Sequence, residues 1–171
     1  MIIAVMSVAE HKAQAQTCVR CYVVTVSDTR TLETETSGRA IAELLEEAGH
    51  TVIGREVVRD EPDAVTHALR KQIARGAEAI ITTGGTGIAK RDSTYEAVTT
   101  LLDKRIDGFG ELFRVLSFED IGPAAMLSRA CAGAAGGCAI FMLPGSEAAV
   151  RLAMQRLIIP ELGHVVRELK K

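Results

Sequence analysis

The chain has 171 residues, 47% of them hydrophobic, enough for one compact domain that needs neither a disulfide nor a structural metal to hold its core. A net charge of -2, a pI near 6.1 and the lack of a long basic run exclude the electrostatic footprint of a duplex-binding protein, so no nucleic-acid partner is expected. The apolar stretch Met1 to Ala9 has no basic leading region and is too short to span a bilayer, so neither a secretory signal nor a membrane helix is expected and the cytoplasm is the expected compartment.

Residues 1–17 read as a mobile arm, with partner docking as a second use and Met6 as an alternative start, because Glu10 to Thr17 is polar without apolar periodicity. Residues 18–171 are expected to form the single domain. Cys18 and Cys21 make a lone CxxC, and no second close pair completes a zinc site, since Cys131 and Cys138 are spaced differently. The thiols therefore read as free and buried, and on a strand Cys18 and Cys21 project to opposite faces.

Val19 to Val26 is a valine-rich run typical of a strand covered on both faces. Ser27-Asp28-Thr29 ends it. Ser37 opens a helix whose Ile41, Leu44, Leu45 and Ala48 keep the spacing of one buried stripe, with Gly49 as the stop. Val52 to Val58 is a second extended run, closed by Arg59-Asp60-Glu61, and Pro62 takes the first position of a helix that turns Val65, Leu69 and Ile73 to the core. After Gly76, Ala79 to Thr83 forms a short buried strand. Ser93 with Glu96 forms a capping box for a helix carrying Val98, Leu101 and Leu102.

Residues 103–137 are less regular, with a helix expected from Glu111 to Ser117. Cys138 to Leu143 is another apolar strand, Pro144-Gly145-Ser146 turns it, and Val150, Met154, Leu157 and Ile158 stripe the next helix. Strands alternating with amphipathic helices predict an α/β fold, a three-layer αβα arrangement around a mainly parallel sheet. In such sheets ligands sit beyond the carboxyl ends of the strands, where Ser27-Asp28, Arg59-Asp60-Glu61, the Gly84 to Asp92 loop and Pro144-Gly145-Ser146 all emerge.

The Gly84 to Asp92 loop is neither a Walker A motif nor GxGxxG, yet its glycines and the following helix start suit an anion. The alternative is that the glycines only shape a tight turn. Asp60 and Asp92, at the ends of two strands, are a candidate Mg²⁺ clamp. As a structural alternative, each caps or flanks the helix that follows it. Lys90 and Arg91 stand beside the loop, where they either neutralise phosphate charge or are simply solvated. His11, His50, His67 and His164 occur singly and make no metal spacing, so none is assigned catalysis.

The run TTGGTGIAKRDSTYEA at 82–97, with VSDTRT at 26–31, the pair Asp60-Glu61, GFGELFR at 108–114, SRA at 128–130 and LPGS at 143–146, resembles the molybdenum-cofactor biosynthesis family MoaB/MogA. FRVLSFEDIG and TSGRAIAELLEEAGH resemble its MoaB branch. The resemblance implies a molybdopterin-binding-domain fold and an ATP- and Mg²⁺-dependent adenylyltransferase that joins AMP to the terminal phosphate of molybdopterin. It also implies a homotrimer or a hexamer, with transient contact to other proteins of molybdenum-cofactor biosynthesis. By the same resemblance, Asp60 and Asp92 match the essential acids and metal-holding pair. Thr83, Gly84, Gly85, Thr86, Gly87, Arg91 and Ser93 match the pterin-binding loop, and Ser27, Asp28, Pro144, Gly145 and Ser146 match turns lining the same pocket.

Two rivals stand beside this reading. One is a MoaB-like protein that binds pterin without transferring AMP. The other is a pyrophosphatase-like relative of the amino-terminal domain of competence-damage proteins, against which Thr86 argues, since that group carries leucine there. The molybdenum-inserting partner protein embeds a related domain among others and is too long to match 171 residues.

Overall fold

The computed structural model describes residues 16–89 and 92–171. In chain order its elements are β1 (Arg20–Val26), α1 (Ser37–Glu47), β2 (Thr51–Val58), α2 (Pro62–Ala74), β3 (Ala79–Thr83), α3 (Thr94–Leu101), β4 (Lys104–Arg105), α4 (Asp107–Ile121), a 3-10 segment (Gly122–Leu127), β5 (Cys131–Ala135), β6 (Cys138–Leu143), α5 (Glu147–Ala153) and α6 (Ile159–Leu169). A π turn at Met154–Ile158 joins α5 to α6. Pro160 explains it: with no N–H to donate, its ring needs the preceding turn widened.

The strands form one sheet in the order β2-β1-β3-β6-β5-β4. β2, β1, β3 and β6 run parallel, whereas β5 pairs antiparallel with β6 and β4 antiparallel with β5. Successive side chains of a strand face opposite ways. Ile81, with Val23 and Phe141, therefore packs under α1, α4, α5 and α6, and Ile80, with Val24 and Met142, packs under α2 and α3. Burying a side chain such as Ile80 or Ile81 contributes about 2 kcal/mol. The result is the three-layer α/β architecture expected from the sequence. Among the described residues no helix is long and apolar enough to cross a membrane.

Four expectations need correction. Residues 103–137 hold two strands, β4 and β5, that the parallel alternation did not announce. The helix expected at 111–117 runs from Asp107 to Ile121, because Gly110 is a packing glycine against the Ala130 carbonyl and does not break it. Ala48 is exposed, since it is the residue that ends α1 and lies past its buried turn. Cys18 is exposed while Cys21, Cys131 and Cys138 are buried, and all four are free thiols. Of the expected mobile arm, residues 1–15 and with them Met6 lie outside the described residues, while Gln16 is anchored through its N–H to the Gly163 carbonyl at 3.3 Å and its side-chain amide to Glu78 at 2.9 Å.

Candidate functional site

The chain leaves β1 toward β2 on one side of the sheet and returns to β3 on the other, so the strand order reverses between β1 and β3. Ligands of open α/β sheets bind at that reversal, beyond the carboxyl ends of the strands. Here the turns after β1, β2, β3 and β6 close on one another. Ser27 donates its N–H to the Val58 carbonyl at 2.9 Å, and its hydroxyl accepts from the N–H groups of Thr29 and Arg30. Thr83 donates its hydroxyl to the Pro144 carbonyl at 2.8 Å, Gly84 its N–H to the Leu143 carbonyl at 3.0 Å, and Ser37 its hydroxyl to the Gly145 carbonyl at 2.7 Å. Between them lies a cavity of about 190 Å³ whose walls include Ser27, Glu35, Ser37, Thr83, Gly84 and Gly145.

Glu35 is only 3% exposed and is fully engaged at this cavity. It accepts from the Gly38 N–H at 2.6 Å and the Thr25 hydroxyl at 3.2 Å, and it pairs with Arg55 at 2.5 Å. A buried carboxylate needs such partners. It also completes the start of α1, because the flanking Thr36 makes no side-chain cap.

The acids expected at the site stand outside the walls of this cavity, on the turns after β1, β2 and β3. Asp60 is half-buried; its Oδ1 accepts the Thr94 hydroxyl at 2.6 Å and its N–H donates to Asp28 Oδ1 at 3.1 Å. Gly84 and Gly85 adopt φ of 97° and 65°, the left-handed region that glycine enters without strain. Side chains there would overlap the Val26 carbonyl and Thr94 respectively. Asp92, also half-buried, folds back so that its carboxylate accepts the Ala89 N–H at 2.9 Å and lies against Gly87, where an added methyl would overlap it.

Arg129, which precedes β5, fastens this loop from the side. Its Nε donates to the Thr86 carbonyl at 3.1 Å, its Nη2 donates to the carbonyls of Gly87 and Asp92, and its Nη1 pairs with Glu96 at 2.5 Å. The guanidinium also lies 4.8 Å from the centre of the Tyr95 ring, within cation-π range. Two bonded sets thus flank the glycine loop: Asp28, Asp60 and Thr94 form one, Arg129 with Thr86, Gly87, Asp92 and Glu96 forms the other, and Gly85 packs against Thr94 between them.

Residues 22–164 match the family model described as "Probable molybdopterin binding domain". The chain belongs to this family. Within the molybdopterin-binding-domain family it is 56% identical over 168 residues to the molybdenum cofactor biosynthesis protein B of Halalkalibacterium halodurans, covering 97% of this chain and 99% of the relative. A crystal structure of a molybdenum cofactor biosynthesis protein B superposes with a TM-score of 0.89 at 53% identity, covering 92% of this chain and 99% of the other. The Pyrococcus furiosus protein titled tungsten cofactor synthesizing protein MoaB superposes with a TM-score of 0.84 at 36% identity, covering 92% of this chain and all of the other, 100%.

Not every expected site residue converges. Ser146 spends its hydroxyl on the Ala149 N–H and caps α5. The capping box of Ser93 and Glu96 does not form: Ser93 makes no side-chain cap, and the Arg129 charge takes Glu96 instead. Arg91, with Lys90, lies outside the described residues, as does His11. Asp60 does not cap α2, where Glu61 holds the flanking position without a side-chain bond. Among the described residues no group of three or more His, Cys, Asp or Glu side chains is placed to hold a metal ion. A cation at Asp60 and Asp92 would therefore need oxygens from a ligand and water. Burial pushes the thiols of Cys21 and Cys138 up to about 12 and that of Cys131 to about 11, so none is a thiolate at neutral pH.

Proposed function

We propose that this chain is a molybdopterin adenylyltransferase of molybdenum-cofactor biosynthesis. A terminal phosphate oxygen of molybdopterin attacks the α-phosphorus of ATP, the bond from that phosphorus to the bridging oxygen breaks, and pyrophosphate leaves with the bonding electrons. The observation that carries this reading is that Asp60 accepts the hydroxyl of Thr94, two residues after Asp92, while Asp92 folds back on Gly87, so that two half-buried carboxylates flank the glycine loop.

Backbone N–H groups of Gly85 to Gly87 hold the phosphorylated pterin, as glycines let peptide donors approach an anion, while the Gly84 N–H stays on the Leu143 carbonyl. Thr94 fixes one carboxylate oxygen of Asp60, and Arg129 fixes the loop that carries Asp92. Two carboxylates fit Mg²⁺, which commonly takes one or two of them with phosphate oxygens and water, and the ion would neutralise charge at the transferring phosphorus. No covalent intermediate on the protein is required, in keeping with thiols that burial keeps protonated. One relative is named for molybdenum and another for tungsten, which fits a shared pterin substrate prepared before metal insertion.

We further propose a homotrimer or hexamer in the cytoplasm. Its contact face is the exposed apolar side of α4 and the 3-10 segment, with Leu112, Val115, Phe118, Ile121, Met126 and Leu127.

The test is direct: incubation with molybdopterin, ATP and Mg²⁺, with adenylylated pterin read by mass and pyrophosphate by release. Asp92→Asn keeps an acceptor for the Ala89 N–H while removing the charge. Turnover is expected to fall at least about 100-fold with fold and pterin binding intact. Wild-type protein that binds pterin but forms no adenylylated product is a binding module only, and normal turnover by Asp92→Asn removes that acid from the mechanism.

A further inference from the structure

A second cavity, of about 390 Å³, opens on the far side of Arg129 from the glycine loop. Its walls carry Tyr95, Arg105, Asp107, Glu111, Arg114 and Arg129, three guanidinium groups against two carboxylates. It lies outside the strand-tip turns, between the start of α4 and the segment leading into β5.

The three arginines are held differently. Arg129 is committed to the loop carbonyls and Glu96. Arg105 meets the Tyr95 hydroxyl and pairs with Asp107 at 3.0 Å, but the ion pair's side chains are 52% and 69% exposed, and an exposed pair of this kind contributes too little to keep the guanidinium from a competing anion. Arg114 is half-buried and makes no hydrogen bond or ion pair among the described residues. Guanidinium forks match phosphate oxygens in bidentate fashion, and several around one cavity suit a chain of phosphates better than a single one. The volume falls in the range of small-molecule sites. Arg129 and Tyr95 are common to this cavity and to the bracing of the Asp92 loop, so an anion held here shares the Arg129 side chain with the backbone that carries Asp92.

We propose, resting on the adenylyl-transfer reading, that this cavity seats the polyphosphate end of the nucleotide, with Arg105 and Arg114 as its contacts. The glycine loop then serves the pterin, and Arg129 is the partition that holds the two subsites in register.

Isothermal titration of the full chain with inorganic tripolyphosphate, without metal, tests it. Wild-type protein is expected to bind one tripolyphosphate per chain more tightly than inorganic phosphate. Arg114→Ala is expected to weaken binding at least tenfold and the Arg105→Ala/Arg114→Ala double variant to abolish it, with unchanged thermal unfolding and partial rescue by Arg114→Lys. Equal affinity of the wild type and the folded double variant overturns the proposal, as does binding of tripolyphosphate no tighter than phosphate. The transfer assay separates this proposal from the reading beneath it. Arginine-dependent tripolyphosphate binding without adenylyl transfer leaves the site standing and fells the reaction, whereas transfer with an unchanged KM for ATP in the double variant does the reverse.

Discussion

Arg129 decides the shape of the glycine loop more than any residue within it. Three carbonyls that would otherwise point into a tight turn without partners converge on one planar cation, and a hydrogen bond to a charged group contributes about 1.5–3 kcal/mol. Lysine keeps the charge but lacks the fork, so its ammonium cannot serve Thr86, Gly87, Asp92 and Glu96 together. Arg129→Lys should therefore lower stability by about 2 kcal/mol in urea denaturation and reduce kcat at least tenfold, while KM for the pterin changes less. An unchanged denaturation midpoint would mean that the loop holds itself. Nothing local announces this role. Arg129 stands among Ser128 and Ala130, and its partners are 33 to 43 residues away in sequence.

Among the elements, the hairpin of β5 and β6 contrasts with the parallel half of the sheet. β1, β3 and β6 were legible because apolar runs covered on both faces alternate with helices striped on one. β5 was not, because Cys131–Ala135 is built from small residues without the β-branched signature. Its one overt signal is Gly136-Gly137, which turns the hairpin with φ of 55° and 78°. At Gly137 an added methyl meets nothing within 4 Å, so the substitution isolates backbone strain. Gly137→Ala is expected to cost about 1 kcal/mol in equilibrium unfolding, and no measurable loss would show that the turn relaxes to another type. The same contrast holds at the site. Once strand ends are placed, Ser27, Asp60, Gly84 and Gly145 follow at their tips, but Glu96 leaves its local cap for a charge from a distant segment.

At the scale of the whole molecule, Glu78 ties the chain together at the edge opposite the strand-tip turns. It accepts from the Arg20 N–H at 2.8 Å and from Gln16 at 2.9 Å, and it pairs with Lys170. Burial alone would raise its pKa, but Lys170, the Arg20 N–H and Gln16 together outweigh that and hold it below the usual carboxylate value. A lowered folded pKa gives stability that is present above the ordinary value and lost as pH falls through the folded one. Burial likewise pushes the His50 imidazole down, so acidification below its ordinary range also weakens the fold. Glu78→Gln should cost about 1 kcal/mol at pH 7, with the difference from wild type closing as pH falls below the ordinary carboxylate range in chemical denaturation, since Lys170 is half exposed and contributes less. For assembly, light scattering should give a multiple of the 18.3 kDa chain, and Phe118→Asp should return it to one copy; a wild-type mass of 18.3 kDa would rule the oligomer out. One consequence reaches beyond stability. Gln16 crosses α6 where Gly163 leaves room for its carbonyl, and Lys170 reaches back to Gln16, so residues 16 and 170 lie side by side. The polypeptide can thus be rewired as a circular permutant, residue 171 welded to 16 by a short linker and the backbone reopened at an outer bend, without disturbing the mouth on the other rim.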